Sequence, residues 1–307
     1  LDLCLSVASG QKFLDMPTNK TDCLYLALED NQRRLQDRMN RVLQGERAPD
    51  GFALATGSLD LQDGLLDQLT DYLNINPGCG LVVIDTLQRV RRTTGKAINA
   101  YQADYKDVGI LQKFASEREI CIVLVHHLRK MKDESDPFAQ ISGTNGIFGA
   151  ADSAFVMTRD RRVDDTTKLS VTGRDLEEFE LALRLDKTQC RWQNLGDAEA
   201  RAREQARIEY ENSALVQNIR KLVERNHGQW SGTAKEILEA GKQLTRRFIA
   251  ESPKDVGVRV KKLENEMREF DGIVYERVKH GSGGARHYFC KNCEQSDAQL
   301  ELEKRVA

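Results

Sequence analysis

No apolar stretch in this sequence approaches the roughly 20 residues that a membrane-spanning helix needs. Its amino-terminal end has no charged segment running into an apolar one, so nothing there resembles a secretory leader. A charge excess is missing too: 46 Lys and Arg stand against 48 Asp and Glu, a formal net charge of −2. No global basic surplus announces a nucleic-acid partner, and any basic surface has to be local. Neither an internal repeat nor a low-complexity tract is visible. The seven cysteines are odd in number and scattered, several inside apolar runs where a thiol behaves as a small hydrophobe. A reducing compartment follows, and a cytoplasmic location with no membrane partner is the expectation.

What is present suits about two globular domains in 307 residues. The chain opens at Leu1 on LDLCLSVA, whose apolar residues recur at helical spacing. After a loop marked by Gly10 and Pro17, Cys23 to Leu28 is a continuous apolar run of the kind found in parallel strands covered on both faces. Asp30 or Asn31 can cap the helix that follows, which carries Leu35, Met39, Val42 and Leu43 on one side. Glu29 is then left over at the strand end, with Asp30 the preferred cap. LQDGLLDQLTDYL reads as a helix, LVVID as a strand, YQADYKDVGILQKFASERE as a helix and ICIVLVHH as a strand. This alternation argues for an α/β unit with a parallel sheet.

SAFVMT, KLSVTG and LALRL are weaker strands, an antiparallel or edge extension that closes the first domain near Trp192. The expected domains are 1–196, a linker helix over 197–211, a smaller domain over 212–292 and a tail over 293–307. The smaller domain has three helical patterns and then two short strands around a glycine-rich turn.

Ligands of open α/β sheets collect at the carboxyl ends of the strands. Three strands deliver polar groups there: Glu29 and Asp30, then Asp85, then His126 and His127. A strand-end aspartate can hold the water shell of a nucleotide-bound Mg²⁺, but it can equally be a helix cap. Three such ends in one domain are a sharper signal.

LYLALED, GLVVIDTL and IVLVHHLRK, in that order, resemble the RecA-fold ATPases, and among them the RepA-type hexameric replicative helicases of plasmids and mobile elements. The resemblance spans Leu1 to Trp192. It implies a RecA-like P-loop NTPase core using ATP and Mg²⁺, ring assembly with copies of itself, most simply a hexamer, and work on DNA. By the same resemblance Glu29 orients the attacking water, Asp85 is the Walker B aspartate that holds Mg²⁺ through water, and His127 senses the γ-phosphate while His126 is structural. Arg38 matches an arginine that contacts the γ-phosphate. A non-motor DNA-binding replication regulator with a switch-like or inactive nucleotide site fits the same residues.

Two departures from the family pattern stand out. No G-x-x-x-x-G-K-[ST] occurs anywhere; TTGKA and AGKQ both fail it. The resemblance places that loop immediately before Leu1, so the expectation is an amino-terminal truncation and a chain inactive as given. The arginine finger that a neighbouring subunit supplies falls on Phe155 in the plasmid-helicase pattern, which leaves Arg174 as the candidate and Arg159 as the second choice.

Two basic stretches flank the site. RVRRTTGK, with Arg89, Arg91 and Arg92, follows Asp85, and LRKMKDE follows His127. Both could contact nucleic-acid phosphates or be solvated loops. The GTNG at Gly143 to Gly146 gives the second stretch backbone freedom.

The second domain resembles a winged helix-turn-helix. Ser252 caps and Pro253 opens its recognition helix, which bears Arg259, Lys261 and Lys262, while Arg277, Lys279 and Arg286 flank the wing. A protein-binding winged helix is the counter-reading, since Glu264, Glu266, Glu269 and Asp271 dilute the charge. The C-x-x-C of Cys290 and Cys293 is half a zinc motif, read as strand-end thiols.

Overall fold

Alternate residues of a strand point to opposite faces, so a run that is apolar at every position must be covered twice. The strand at Cys23 meets that condition. The computed structural model describes residues 1–91, 100–129, 136–141, 145–159, 166–279 and 285–291. They fall into two compact units, 1–199 and 200–307.

In the first unit, helix α1 (Asp2–Ser9) ends on Gly10, whose φ of 69° closes the last turn in the left-handed region. It leads to β1 (Asp22–Ala27), α2 (Gln32–Leu43), β2 (Phe52–Ala55), α3 (Leu65–Ile75) and β3 (Cys79–Asp85). A 3₁₀ turn (Leu87–Val90), α4 (Ala100–Glu117) and β4 (Cys121–Val125) follow. The four strands form one parallel sheet in the order β2-β1-β3-β4. One face packs Cys23, Tyr25, Leu81 and Val83 with Cys4 and Ala8 of α1 and Leu35 of α2. The other packs Leu24, Leu26, Val82 and Ile84 with α3 and α4. Each aliphatic side chain so buried contributes about 1.5–3 kcal/mol. At the sheet margin β4 is only partly covered, with Cys121 and Val125 exposed.

Beyond a second 3₁₀ turn (Pro137–Gln140) and α5 (Asn145–Ala150), strands β5 (Ser153–Arg159), β6 (Thr166–Gly173), β7 (Leu176–Asp186) and β8 (Arg191–Asp197) make a separate antiparallel sheet in sequential order. The expected extension is therefore a sheet of its own. It ends at Asp197 and has a small core of Leu14, Leu169, Val171 and Leu183.

Helix α6 (Ala198–Asn212) precedes α7 (Ala214–Arg225), β9 (Gln229–Thr233), α8 (Ala234–Leu244), α9 (Pro253–Lys262), α10 (Glu264–Asp271), β10 (Ile273–Lys279) and β11 (Ala285–Lys291). The last turn of α6 is more than a linker: Tyr210 is buried in the core of the second unit and its hydroxyl donates to Asp271. Ser252 caps α9, accepting from the Asp255 amide at 3.2 Å, with Pro253 in the first turn. What reads as one third helix is broken at Leu263 into α9 and α10. The sheet has three antiparallel strands in the order β10-β11-β9, one more than the sequence suggests. A Cβ on Gly241 of α8 would lie 2.5 Å from Ile249 Cδ1, so a larger residue there would have to displace the buried Ile249 side chain.

Candidate active site

Register decides what meets at the sheet edge. Ala27 lies beside Asp85, and Asp85 beside Val125, so the residues just past β1, β3 and β4 emerge together. Leu28 N–H donates to the Asp85 carbonyl at 2.7 Å, which holds Glu29 next to the end of β3.

Glu29 is the hub. Its Oε1 accepts from the hydroxyl of buried Thr86 at 2.9 Å and has Arg89 Nε at 3.9 Å. Its Oε2 lies 3.7 Å from His127 Nε2. The structure thus gathers Glu29, Asp85 and His127 at one edge, with His127 exposed and His126 half-buried. Thr86 was not among the residues that sequence reasoning singled out, although its place directly after Asp85 was the available signal.

Asp85 is half-buried, and its Oδ2 accepts a 2.6 Å hydrogen bond from the hydroxyl of Tyr25. Burial raises the Tyr25 pKa first, and the bond to the Asp85 carboxylate raises it further, so the phenol stays a donor. A carboxylate is a hard oxygen donor of the kind that suits Mg²⁺.

Several expectations change. Asn31, not Asp30, caps α2, its side chain accepting from the Arg34 amide at 3.0 Å. Asp30 pairs with Arg34 at 3.2 Å and with Arg38, whose guanidinium is therefore engaged on α2. Arg91 is withdrawn from solvent. Its side chain is 12% exposed, with Nη2 2.7 Å from Asp104 and Nε 2.7 Å from Asp107 of α4. Burial disfavours its charge, but the two carboxylates outweigh that and hold its pKa above the ordinary value. Arg91 thus clamps the segment after β3 to α4.

Arg174 follows β6 and is exposed, 3.2 Å from Asp152 and 3.5 Å from the Gly149 carbonyl. Phe155 is exposed on β5, and Arg159 ends that strand. In the second unit Arg259 makes an i,i+4 pair with Asp255, Lys261 pairs with Glu264, and Lys262 is exposed. Arg277 and Lys279 are exposed on alternate positions of β10, as is Arg286 on β11. Cys290 is disulfide-bonded, which corrects its reading as a thiol. Arg92, Lys96, the KMKDE stretch, Gly143 and Cys293 lie outside the described residues.

Fold and site define an α/β unit with a carboxylate hub, a second acid and an imidazole at the carboxyl ends of parallel strands. Residues 1–133 match the sequence profile of a family described as an AAA domain. No curated protein matches the chain. Among solved structures, a DnaB-like replicative helicase, described with its interactions with primase, is similar at 13% identity with a TM-score of 0.47 over 58% of this chain and 51% of that one. The RadB recombinase is similar at 13% identity with a TM-score of 0.43 over 63% of this chain and 84% of that one. The chain spans about half the length of the helicase it resembles. No helix among the described residues is long and apolar enough to cross a membrane.

Proposed function

We propose that this chain belongs to an ATP-dependent DNA-processing ATPase, a replicative helicase of the RepA type from a plasmid or mobile element that works as a ring, most simply a hexamer. The convergence of Thr86, Arg89 and His127 on Glu29 carries this reading. A carboxylate fixed by a buried hydroxyl is oriented to accept a proton from an attacking water, which is the task a phosphoryl-transfer site sets its base. Asp85, steadied by Tyr25, would be the residue that holds Mg²⁺. The metal, when bound, neutralises developing charge on the phosphates. His127 is exposed beside Glu29 and available to a terminal phosphate, and Arg38 reaches it on release from Asp30. Arg174, exposed on the rim of the antiparallel sheet, serves the active site of a neighbouring copy.

DNA is held by Arg89 beside the site and by the second unit, read as a winged helix. Its α7, α8 and α9 with a three-stranded sheet support that reading. Arg259, Lys261 and Lys262 lie on the recognition helix, and Arg277 and Lys279 on the wing.

Since the sequence holds no glycine-lysine phosphate loop, the test is made on the longest reading frame that contains it. Glu29→Gln is expected to lower DNA-stimulated ATP hydrolysis by roughly 10²–10⁴-fold with ATP binding retained. Unchanged hydrolysis rejects the assignment. Strand displacement separates a motor from a DNA-binding regulator, which would hydrolyse or bind ATP without opening a duplex.

A further inference from the structure

Away from the carboxylate hub, the first unit displays a cluster of aromatic rings that the proposed chemistry does not use. Tyr101 and Tyr105, one turn apart on α4, are 47% and 48% exposed. Their rings stack with centroids 6.3 Å apart and planes 18° from parallel. Phe138 and Phe148 form a second stack at 5.7 Å and 14°, and Phe148 is 40% exposed. The two stacks are neighbours: a Cβ on Gly149 of α5 would lie 4.0 Å from the Tyr105 ring.

The charge around the rings is sorted. The two acids in this part of α4, Asp104 and Asp107, turn inward and are neutralised by Arg91. What the first turns of α4 leave exposed is Tyr101, Gln102, Tyr105 and Lys106, with no anion among them. The Arg174 guanidinium lies 3.5 Å from the Gly149 carbonyl. Planar rings with wet polar tips beside exposed Lys106, where Arg174 takes up Asp152 and Asp136 caps the turn that bears Phe138, suit an anionic polymer whose bases present open π faces.

From this we infer that Tyr101, Tyr105 and Phe148 form a stacking site for unpaired bases of single-stranded DNA. The inference rests on the DNA-processing reading and deepens it. Arg91 gives the site a rigid link to the sheet edge. It fastens the helix that bears both tyrosines to the segment six residues beyond Asp85.

The test is fluorescence anisotropy of labelled oligothymidylate with the whole chain, across a salt series, beside a duplex and an abasic oligomer of equal length. Tyr101→Ala with Tyr105→Ala is expected to weaken oligothymidylate binding by on the order of tenfold or more. The salt slope should be unchanged, because no phosphate contact is lost. Abasic binding should be the same in both proteins, and Tyr→Phe at both positions should restore affinity. Photocrosslinking of iodouracil-containing strands should map to these rings. If the wild-type chain binds single strands and the double variant binds them equally, the stacking site is wrong while the DNA reading stands. If the variant instead changes sedimentation without changing DNA affinity, the rings cover a contact between copies, and the inference is overturned. If the wild type binds no nucleic acid, both fail.

Discussion

The hydroxyl of Tyr25 donates to Oδ2 of Asp85 at 2.6 Å across adjacent parallel strands. It reaches from the face of the sheet covered by α1 and α2 to the edge where Glu29 stands. Tyr25, on a strand that is apolar from Cys23 to Ala27, thus carries a polar atom to the site from inside the core.

Tyr25→Phe keeps the ring and removes only that donor. The expected loss is about 1–2 kcal/mol in urea unfolding, the range for a hydrogen bond to a charged acceptor that solvent can partly replace. In the complete protein the Mg²⁺ requirement for hydrolysis should rise, because Asp85 is freer to rotate. An unchanged Mg²⁺ titration would show that the tyrosine serves packing alone.

Arg91→Met strands two largely buried carboxylates. A destabilisation of about 3 kcal/mol is expected, and Asp104→Asn with Asp107→Asn in the same chain should recover part of it, as a double-mutant cycle would show. Because the guanidinium is already taken up by these acids, the salt dependence of DNA binding should not lose a phosphate contact. A shallower slope would return Arg91 to the DNA-contacting set.

His287, buried on β11, shares a 2.9 Å hydrogen bond with the hydroxyl of Tyr275. Burial, and after it the charge of Arg277, push its pKa below the ordinary 6.5. The unfolded chain therefore binds a proton that the folded chain refuses. Stability is complete above the unfolded value and falls as pH drops from about 6.5 through the folded one, by at most about 1.4 kcal/mol per pH unit. Trp230 emission in a Trp192→Phe chain reports this unit. His287→Asn should flatten the slope between about pH 7.5 and 5.5, and a slope that persists would assign it to other groups.

The strands β1 and β3 were legible because burial on two faces writes itself as unbroken apolar runs, β4 carried the same kind of run although it is only partly covered, and their polar ends followed. Strand β2 is four residues long, too short for a pattern, and it exists by pairing with β1. Strand β9, QWSGT, is held by β11 and has no apolar alternation of its own. Asp30 and Asn31 are both good caps in isolation; two arginines on the next helix take the aspartate and leave the cap to its neighbour. RVRR resembles a solvated charge run, and only the acids of α4 show that Arg91 turns inward. The i,i+4 spacing of Tyr101 and Tyr105 was in plain view, but Phe138 and Phe148 join them through the packing of α4 against α5, which no local pattern announces.

Tyr210 bears on how the second unit can be cut free. Its hydroxyl shares Asp271 with Arg220, whose guanidinium also lies 5.2 Å from the Tyr210 ring centroid. A fragment started at residue 212 would discard that phenol. The remaining arginine and aspartate would face a hole where a ring had been, together with the buried apolar neighbours it covered. Starting the fragment ahead of Ala198 keeps the plug in place, so that a failure to bind DNA could be blamed on the surface and not on the excision.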